Sequence, residues 1–456
     1  MKRLFKRKSI AAAAAVLVAL VAAYGAVFAA TIPVLHESPA TSQASLKPFT
    51  ASQDTFRIPL KDSVVWLEME KNTDYTICVD GSDKGLWKVK DFSYEKAGDC
   101  IQLNSGNYVK NGKIQYVTQI GHVVTFNLLV GMKYIDLSTQ DHLLGANSSG
   151  HLKKNYSKLA VGDNVIFLDP ERKERINRVL AVDKYKVTEC EFIQTLWDSI
   201  PSKPRLGAEV NHEFWIDKKK EMEKNGFCDA HDSAAVRVYL YHALVYANAR
   251  SVRDGLKPVY SFRLDKERNL SMSNEDYSFL VKKVSFLEDF DGSGHPWLVV
   301  TLDKNADGYR LPYYDEWMAL ARGGENIRIS YWEGNSQSAS QYAWFGVIEP
   351  EDRFLKMSES NPFERDWLAQ SYGERMQKTR PVGMLKPNKY GLYDMLGLVC
   401  ENVTFSGKSM FRTATACKGG FLTDSLKALN FGAHCDNGVG GGLGTYQGLR
   451  LVRQIK

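Results

Sequence analysis

The pattern of hydrophobic and polar residues changes character near residue 130. Before that point, short runs of β-branched and aromatic residues are separated by turn sequences rich in Asp, Asn and Gly. This pattern is typical of short β-strands joined by tight turns. The runs cover residues 63–67, 75–79 and 123–129, and the turns fall at 80–81, 104–106 and 111–112. We therefore predict that residues 53–130 form a small all-β domain, either a sandwich or a meander.

Beyond residue 130 the chain combines isolated strand-like runs with a few helical ones. Apolar residues recur with helical spacing in residues 194–199, 233–254 and 314–322. The last of these segments follows Pro312 and is succeeded by two glycines, which are typical of a helix start and a helix end. Strands and helices do not alternate regularly, and this argues against a doubly wound parallel sheet.

The first thirty residues have the layout of a secretory signal peptide. Basic residues at the start are followed by an apolar run from Ile10 to about Tyr24, and small residues surround an acceptable cleavage context at 27–29. An uncleaved anchor is the alternative, because the apolar run is just long enough to span a bilayer. Residues 31–52 are rich in Ser, Thr, Pro and Ala and are predicted to be a linker. We expect an exported protein that is periplasmic, on the cell surface or secreted.

Composition and charge narrow the possible partners. The chain has 456 residues, of which 44% are hydrophobic and 25% charged, so a packed globular protein is expected. Five basic residues among the first eight account for most of the formal charge of +6, and the remainder is almost neutral. This argues against nucleic acid as a partner. Contact with a membrane is expected only through an uncleaved N-terminal segment.

The seven cysteines are an odd number, so at least one is free. The spacing permits a disulfide between Cys78 and Cys100 and another between Cys400 and Cys417, although buried thiols are an alternative. The sequence contains no CxxC motif, and a structural zinc site is therefore not expected.

Several motifs resemble the formylglycine-generating enzyme (sulfatase-modifying factor) family. Residues 308–324 read GYRLPYYDEWMALARGG and are similar to the signature helix of that family. Residues 390–397 (YGLYDMLG), 418–420 (KGG) and 448–453 (GLRLVR) resemble later motifs in the same order. The resemblance covers residues 130–456. It implies an α+β domain with a C-type-lectin-like fold, which the small all-β domain would precede.

The chain departs from the family pattern at the positions that carry its chemistry. Catalytic members hold copper(I) with two cysteines just beyond the Gly-Gly motif, but residues 419–430 contain no cysteine. Copper is therefore not expected. Phe421 also stands in place of the family serine. The favoured function is a non-catalytic binding or scaffold module for an exported protein, a peptide or a glycan. The alternative is a formylglycine-generating oxidase that acts on a protein cysteine through a rearranged pair, Cys417 and Cys435.

The resemblance also implies a calcium site and a ligand cleft. The calcium ligands would be Asp394, the carbonyl oxygens of Gly397 and Val399, and Glu401, which are hard oxygen donors in one loop. The alternative is that the two carboxylates cap turns or pair with Lys or Arg. The expected cleft residues include aromatic faces that could stack on a sugar or a peptide. The full set of expected cleft residues is Arg310, Trp317, Trp344, Phe421, Asp424 and Tyr446.

Overall fold

The structure is a computed structural model, and it describes a defined part of the chain. The described residues are 54–60, 63–81, 84–146, 166–168, 171–200, 210–225, 228, 233–238, 240–264, 298–332, 336–344, 379–404, 415–421, 429–436 and 447–455. The predicted signal peptide or anchor and the predicted linker lie outside these residues. Among the described helices, none combines the length and the apolar character that crossing a membrane requires.

The N-terminal strands form two four-stranded sheets, with the orders β1-β3-β6-β5 and β2-β8-β7-β4. The β1/β3 and β2/β8 pairs are parallel, whereas the other pairs in these sheets are antiparallel. The strands are β1 (Asp54–Pro59), β2 (Ser63–Met69), β3 (Asp74–Asp80), β4 (Gly85–Val89), β5 (Tyr94–Ala97), β6 (Cys100–Asn104), β7 (Lys110–Thr118) and β8 (Val123–Val130).

The two N-terminal sheets share one hydrophobic core. Alternate residues of several strands point into it, including Ile77 and Ile101 from one sheet and Ile114 and Phe126 from the other, all fully buried. The turn predicted at residues 111–112 is wrong, since both residues lie inside β7. Gly112 pairs with Leu128 there, and its missing side chain leaves space for the Phe92 ring.

The rest of the chain contains further strands, four α-helices among the described residues and two short 3-10 helices. The strands are β9 (Met132–Asp136), β10 (Asp141–Leu144), β11 (Ile166–Leu168), β12 (Arg172–Arg175), β13 (Val179–Asp183), β14 (Tyr260–Leu264), β15 (Leu298–Leu302), β16 (Tyr309–Arg310), β17 (Cys400–Thr404), β18 (Thr415–Lys418), β19 (Ala433–Asp436), β20 (Gln447–Gly448) and β21 (Val452–Ile455). The helices are α1 (Glu189–Thr195), α2 (Val210–Asn225), α3 (Leu240–Arg253) and α4 (Tyr314–Arg322), and the 3-10 helices are Leu137–Thr139 and Ser336–Gln341.

This part of the chain contains two larger sheets, of which the first is mixed and the second antiparallel. One has five strands in the order β11-β19-β18-β17-β20, and the other has four in the order β16-β21-β13-β9. Helices α1, α2 and α3 pack together through three buried rings, those of Phe192, Trp215 and Tyr246. Helix α4 packs in a second core with residues of β13 and β17. The final strand, β21, lies between β16 and β13, so the C-terminal segment completes a sheet begun much earlier in the chain.

The sequence predicted the helices with unequal success. The bounds of α4 are confirmed. Glu316 accepts a hydrogen bond from the backbone N–H of Tyr313 at the start, and Gly323 adopts the left-handed conformation at the end. The α3 segment begins at Leu240 rather than 233, because Ser233 and Ala234 form β-bridges with other segments. The helix predicted at 194–199 lies a turn earlier, as α1, where Thr188 caps its N-terminus.

Polar contacts join the N-terminal sheets to the remainder of the chain. Glu191 of α1 accepts hydrogen bonds from Lys71 Nζ at 3.3 Å and from the Val109 backbone N–H at 3.2 Å. Glu68 of β2 forms an ion pair with Lys133 of β9 at 2.6 Å. The contact therefore combines backbone hydrogen bonds with both exposed and buried ion pairs.

Candidate functional site

A buried ionic cluster lies where the motifs of the resemblance converge, and it consists of Lys186, Trp317, Glu401 and Arg450. The Glu401 carboxylate of β17 is its centre. Trp317 Nε1 donates a hydrogen bond to Glu401 Oε2 at 2.7 Å, and Arg450 Nη2 donates to Oε1 at 3.0 Å. Lys186 Nζ lies 2.9 Å from Oε1. The side chains of the two cations and of Glu401 are all 0% exposed, so solvent does not screen these charges.

Arg450 connects the cluster to several segments of backbone. It lies just before β21, and its Nη1 atom donates to the carbonyl oxygens of Asp183 at 2.7 Å and Lys184 at 2.9 Å. Its Nη2 atom also donates to the Tyr393 carbonyl at 2.6 Å. The planar guanidinium suits this role because it presents several donors in fixed directions. One side chain thus fixes β13, the 390s loop and β17 relative to each other.

Burial and charge act in opposite directions on the cluster. Burial alone raises the pKa of Glu401, but the charges of Arg450 and Lys186 outweigh that effect and hold the pKa below its usual value. Burial lowers the pKa of Lys186, and the Glu401 charge offsets only part of this. The Glu401 carboxylate is therefore ionised at neutral pH, and the buried side chains of Lys186 and Arg450 balance its charge.

The loop beside the cluster has a tightly constrained backbone. Asp394, Gly397 and Leu398 all have positive φ angles, of 56°, 79° and 65°. The Gly397 N–H donates to the Gly419 carbonyl at 2.8 Å, and Gly397 also forms a β-bridge with Trp344. A Cβ atom at residue 397 would collide with the Trp344 backbone, so this position requires glycine.

Asp394 is the least satisfied acidic group of this loop. Its Oδ2 atom accepts a hydrogen bond from the Gly383 N–H at 2.7 Å. Its Oδ1 atom is buried and has no hydrogen-bond partner within the described part of the chain. Burial raises the pKa of Asp394, and the bond from Gly383 offsets this only in part.

A calcium ion held by Asp394, Gly397, Val399 and Glu401 does not fit this arrangement. Lys186 Nζ donates to the Val399 carbonyl at 2.6 Å and contacts Glu401, so an ammonium group already occupies the space between these oxygens. A divalent cation there would also meet the Arg450 charge. Among the described residues, no group of three or more His, Cys, Asp or Glu side chains is arranged to hold a metal. The alternative stated for Glu401, pairing with Lys and Arg, describes the observed contacts.

Several expected cleft residues are core residues instead. Trp317 is fully buried, and Phe421 is buried against Cys400 and Cys417. Arg310 is buried too, and its two terminal nitrogens bind both Glu316 oxygens at 2.7 and 2.8 Å. The polar atoms of Trp317 and Arg310 are bound internally, and the Phe421 ring is buried, so the structure does not show these three residues lining a cleft.

The other three expected cleft residues are not shown to line an open surface. Trp344 is 9% exposed, packs among apolar side chains and has the Arg380 guanidinium over its ring. Asp424 and Tyr446 lie outside the described residues.

The cysteines form three disulfides among the described residues, Cys78–Cys100, Cys190–Cys228 and Cys400–Cys417. The first and third are the pairs that the spacing permitted. Cys417, one of the two candidate oxidase cysteines, is therefore bonded to Cys400. Cys435 lies on the neighbouring strand, directly opposite Cys417 in the register of β18 and β19.

Sequence reasoning singled out Glu401 as a calcium ligand and missed its contacts with Lys186 and Arg450. One signal was available for Lys186. Residues 185–192 read YKVTECEF and are similar to a family segment that reads YEVTxxEF, so Lys186 stands where that segment carries a residue of opposite charge. Arg450 stands in the final motif as its arginine, but its distance of 49 residues from Glu401 gives no sign of contact.

Comparison with known proteins assigns the family. The model of the sulfatase-modifying factor enzyme 1-like domain matches residues 145–455. The chain therefore belongs to the sulfatase-modifying factor family, as its motifs predicted.

One named relative and two solved structures are similar to parts of this chain. The chain is 30% identical over 248 residues to the "Chaperone protein LppX" of Paenibacillus barcinonensis, covering 54% of this chain and 78% of that protein. Among solved structures, the Treponema denticola variable protein 1 matches with 17% identity and a TM-score of 0.40, over 71% of this chain and 99% of its own. PvdO from Pseudomonas aeruginosa matches with 13% identity and a TM-score of 0.35, over 71% and 98%.

Proposed function

We propose that the protein is an exported, non-catalytic member of its family that binds or scaffolds another exported protein. The observation that supports this is the chemical state of the cysteines near the copper-binding positions of the family pattern. Residues 419–430 contain no cysteine, and Cys417 is bonded to Cys400. Copper(I) is held by soft thiolates, and a disulfide sulfur is not a thiolate.

The proposed compartment follows from the same bonds. Disulfides form and persist in the periplasm, at cell surfaces and outside cells, and they are rare in the cytosol. Three disulfides among the described residues, together with the signal-like N-terminus, favour export. The proposed organisation is a small all-β domain at 53–130 followed by an α+β, C-type-lectin-like domain at 131–456.

A protein or peptide is the partner class that we favour over a glycan. The Paenibacillus barcinonensis relative is named a chaperone, and chaperones act on other proteins. The rigid interior described above suits a scaffold, because the buried ionic cluster and the cystines fix the framework from which loops extend.

One experiment separates this proposal from the oxidase alternative. The mature protein is incubated with copper(I), oxygen and a peptide carrying Cys-x-Pro-x-Arg, and the peptide mass is followed for conversion of cysteine to formylglycine. We expect no conversion by the wild type. Conversion that disappears in both Cys417→Ser and Cys435→Ser variants would establish the oxidase instead.

A second experiment tests the partner class. An unfolded secreted enzyme is diluted from denaturant, and its aggregation is followed by light scattering with and without an equimolar amount of the protein. We expect less aggregation, with serum albumin at equal mass as the control for non-specific crowding. No effect at tenfold molar excess, combined with binding to immobilised oligosaccharides, would replace the protein partner with a glycan.

A further inference from the structure

Three adjacent strands of the five-stranded sheet each carry one cysteine. Cys400 begins β17, Cys417 lies in β18 and Cys435 lies in β19. These strands are consecutive in the sheet order, so Cys417 stands between the other two. Since the three disulfides of the described residues use six of the seven cysteines in the sequence, Cys435 is the cysteine left over.

Cys417 is within disulfide distance of both neighbours. Its Cα atom lies 5.6 Å from that of Cys400, to which it is bonded. Cys435 is its direct register partner in an antiparallel pair, where facing Cα atoms are about 4.5–5.5 Å apart. Disulfides usually join Cα atoms about 4.4–6.8 Å apart, so both pairings fall in the accepted range.

The same chain already contains a disulfide of the second kind. Cys78 and Cys100 are direct register partners in the antiparallel pair β3/β6, and they are bonded. A facing pair on antiparallel strands is therefore a geometry that this protein uses for a cystine.

We propose that Cys435 exchanges with the Cys400–Cys417 disulfide, so that the protein exists with two alternative cystines in this sheet. The Cys435 thiol first loses its proton, and the thiolate attacks the sulfur of Cys417. A Cys417–Cys435 bond forms while the Cys400–Cys417 bond breaks, and the electron pair leaves on the Cys400 sulfur, which takes up a proton. The number of disulfides is unchanged, so no oxidant or reductant is consumed.

Burial makes the neighbouring cysteine a better attacking group than an external thiol. Cys400 and Cys417 are each 3% exposed and form a cluster with Phe421, which hinders access of thiols from solution. Cys435 is already on the adjacent strand. The exchange places the free thiol at residue 400, at the start of β17.

Peptide mapping of the wild-type protein tests the exchange. Samples held at pH 8 and at pH 3 are treated with an alkylating reagent that also works in acid, then digested without reduction and analysed by mass spectrometry. After incubation at pH 8 we expect the Cys417–Cys435 peptide, with a matching gain of alkylated Cys400 and loss of alkylated Cys435. Finding Cys400–Cys417 as the sole linkage of Cys417 in every sample would overturn the proposal.

Two variants test the pairing without depending on how the wild-type protein divides between the two alternative cystines. Cys400→Ser should form the Cys417–Cys435 bond in glutathione redox buffer and leave no alkylatable thiol, whereas Cys435→Ser should keep only Cys400–Cys417. The Cys190–Cys228 peptide is the internal control and should not change. If Cys400→Ser unfolds with the wild-type midpoint but leaves Cys417 and Cys435 both alkylatable, the two residues do not pair and the proposal fails.

Discussion

Replacing Glu401 by Gln removes the negative charge at the centre of the buried ionic cluster without changing the size of the side chain. Lys186 and Arg450 then remain buried with their principal counter-charge gone, since both contact the Glu401 carboxylate directly, at 2.9 and 3.0 Å. Trp317 keeps an acceptor, because the Gln amide still provides one oxygen.

The expected loss is large because the charges are desolvated. Breaking a buried ion pair by removing one member costs about 3–5 kcal/mol, since the other member stays uncompensated. Glu401 serves two cations, so we expect Glu401→Gln to lower the free energy of unfolding by at least this amount. Chemical denaturation followed by tryptophan fluorescence measures it, provided that the transition is two-state.

A matched control tests whether burial is the cause. Glu68 and Lys133 form an ion pair at 2.6 Å, but the Glu68 side chain is 38% exposed. Exposed pairs contribute about 0–1 kcal/mol, so Glu68→Gln should change stability by less than 1 kcal/mol despite the shorter distance. Equal losses for Glu68→Gln and Glu401→Gln would refute the argument from burial.

The double variant Lys186→Met with Glu401→Gln tests the pairing itself. In the Lys186→Met variant, Glu401 keeps Arg450 as a partner. In the double variant, Lys186 is no longer present as a buried cation without its counter-charge. The double variant should therefore lose less stability than the sum of the two single losses, with a coupling of about 0.5–3 kcal/mol. Strictly additive losses would mean that the two residues do not interact.

Three further predictions follow from the same geometry. Because Lys186 fills the space between the expected calcium ligands, addition of calcium or EDTA should leave the melting temperature unchanged, and a rise of several degrees with calcium would contradict that. The folded-state pKa of Glu401 lies below its ordinary value of 4.5, so its stabilising contribution is complete above that pH and is lost as the pH falls through the lower folded value. Pulse-proteolysis or denaturant curves from pH 7 to 3 should show a loss in the wild type that is smaller in Glu401→Gln. Gly397→Ala should cost clearly more than Gly98→Ala, although both positions have positive φ, because only residue 397 lacks space for a Cβ atom. Similar denaturation midpoints for those two variants would refute the close approach at 397.

Local features of the fold were predictable because their causes are local. The bounds of α4 follow from Pro312, a periodic apolar stripe and the glycine at 323. Strands of the N-terminal sheets follow from alternating runs between turns. By contrast, α2 (Val210–Asn225) was missed because it is rich in Lys and Glu and has little apolar periodicity. Its stability depends on tertiary contacts such as the buried Trp215.

The site was less predictable because it is assembled from distant segments. Glu401, Lys186 and Arg450 come from three separate stretches of chain, and nothing local indicates that they meet. The aromatic residue Trp317 was expected to line a cleft on the ground of its chemistry. Its place on the inner face of α4, with its indole nitrogen bonded to Glu401, could be found only from the folded structure.

Motif residues by which the family is recognised also form contacts that stabilise the framework of the fold. Arg310 and Glu316 form a bidentate pair that fixes the start of α4, and Asn388 donates to the Leu320 and Ala321 carbonyls at its end. Such contacts can persist whatever chemistry the surface performs. Motif resemblance therefore identifies the family of this chain, whereas its function depends on positions at which the chain departs from the pattern. The absence of cysteine from residues 419–430 and the contact of Lys186 with the Val399 carbonyl oxygen at 2.6 Å are two such departures.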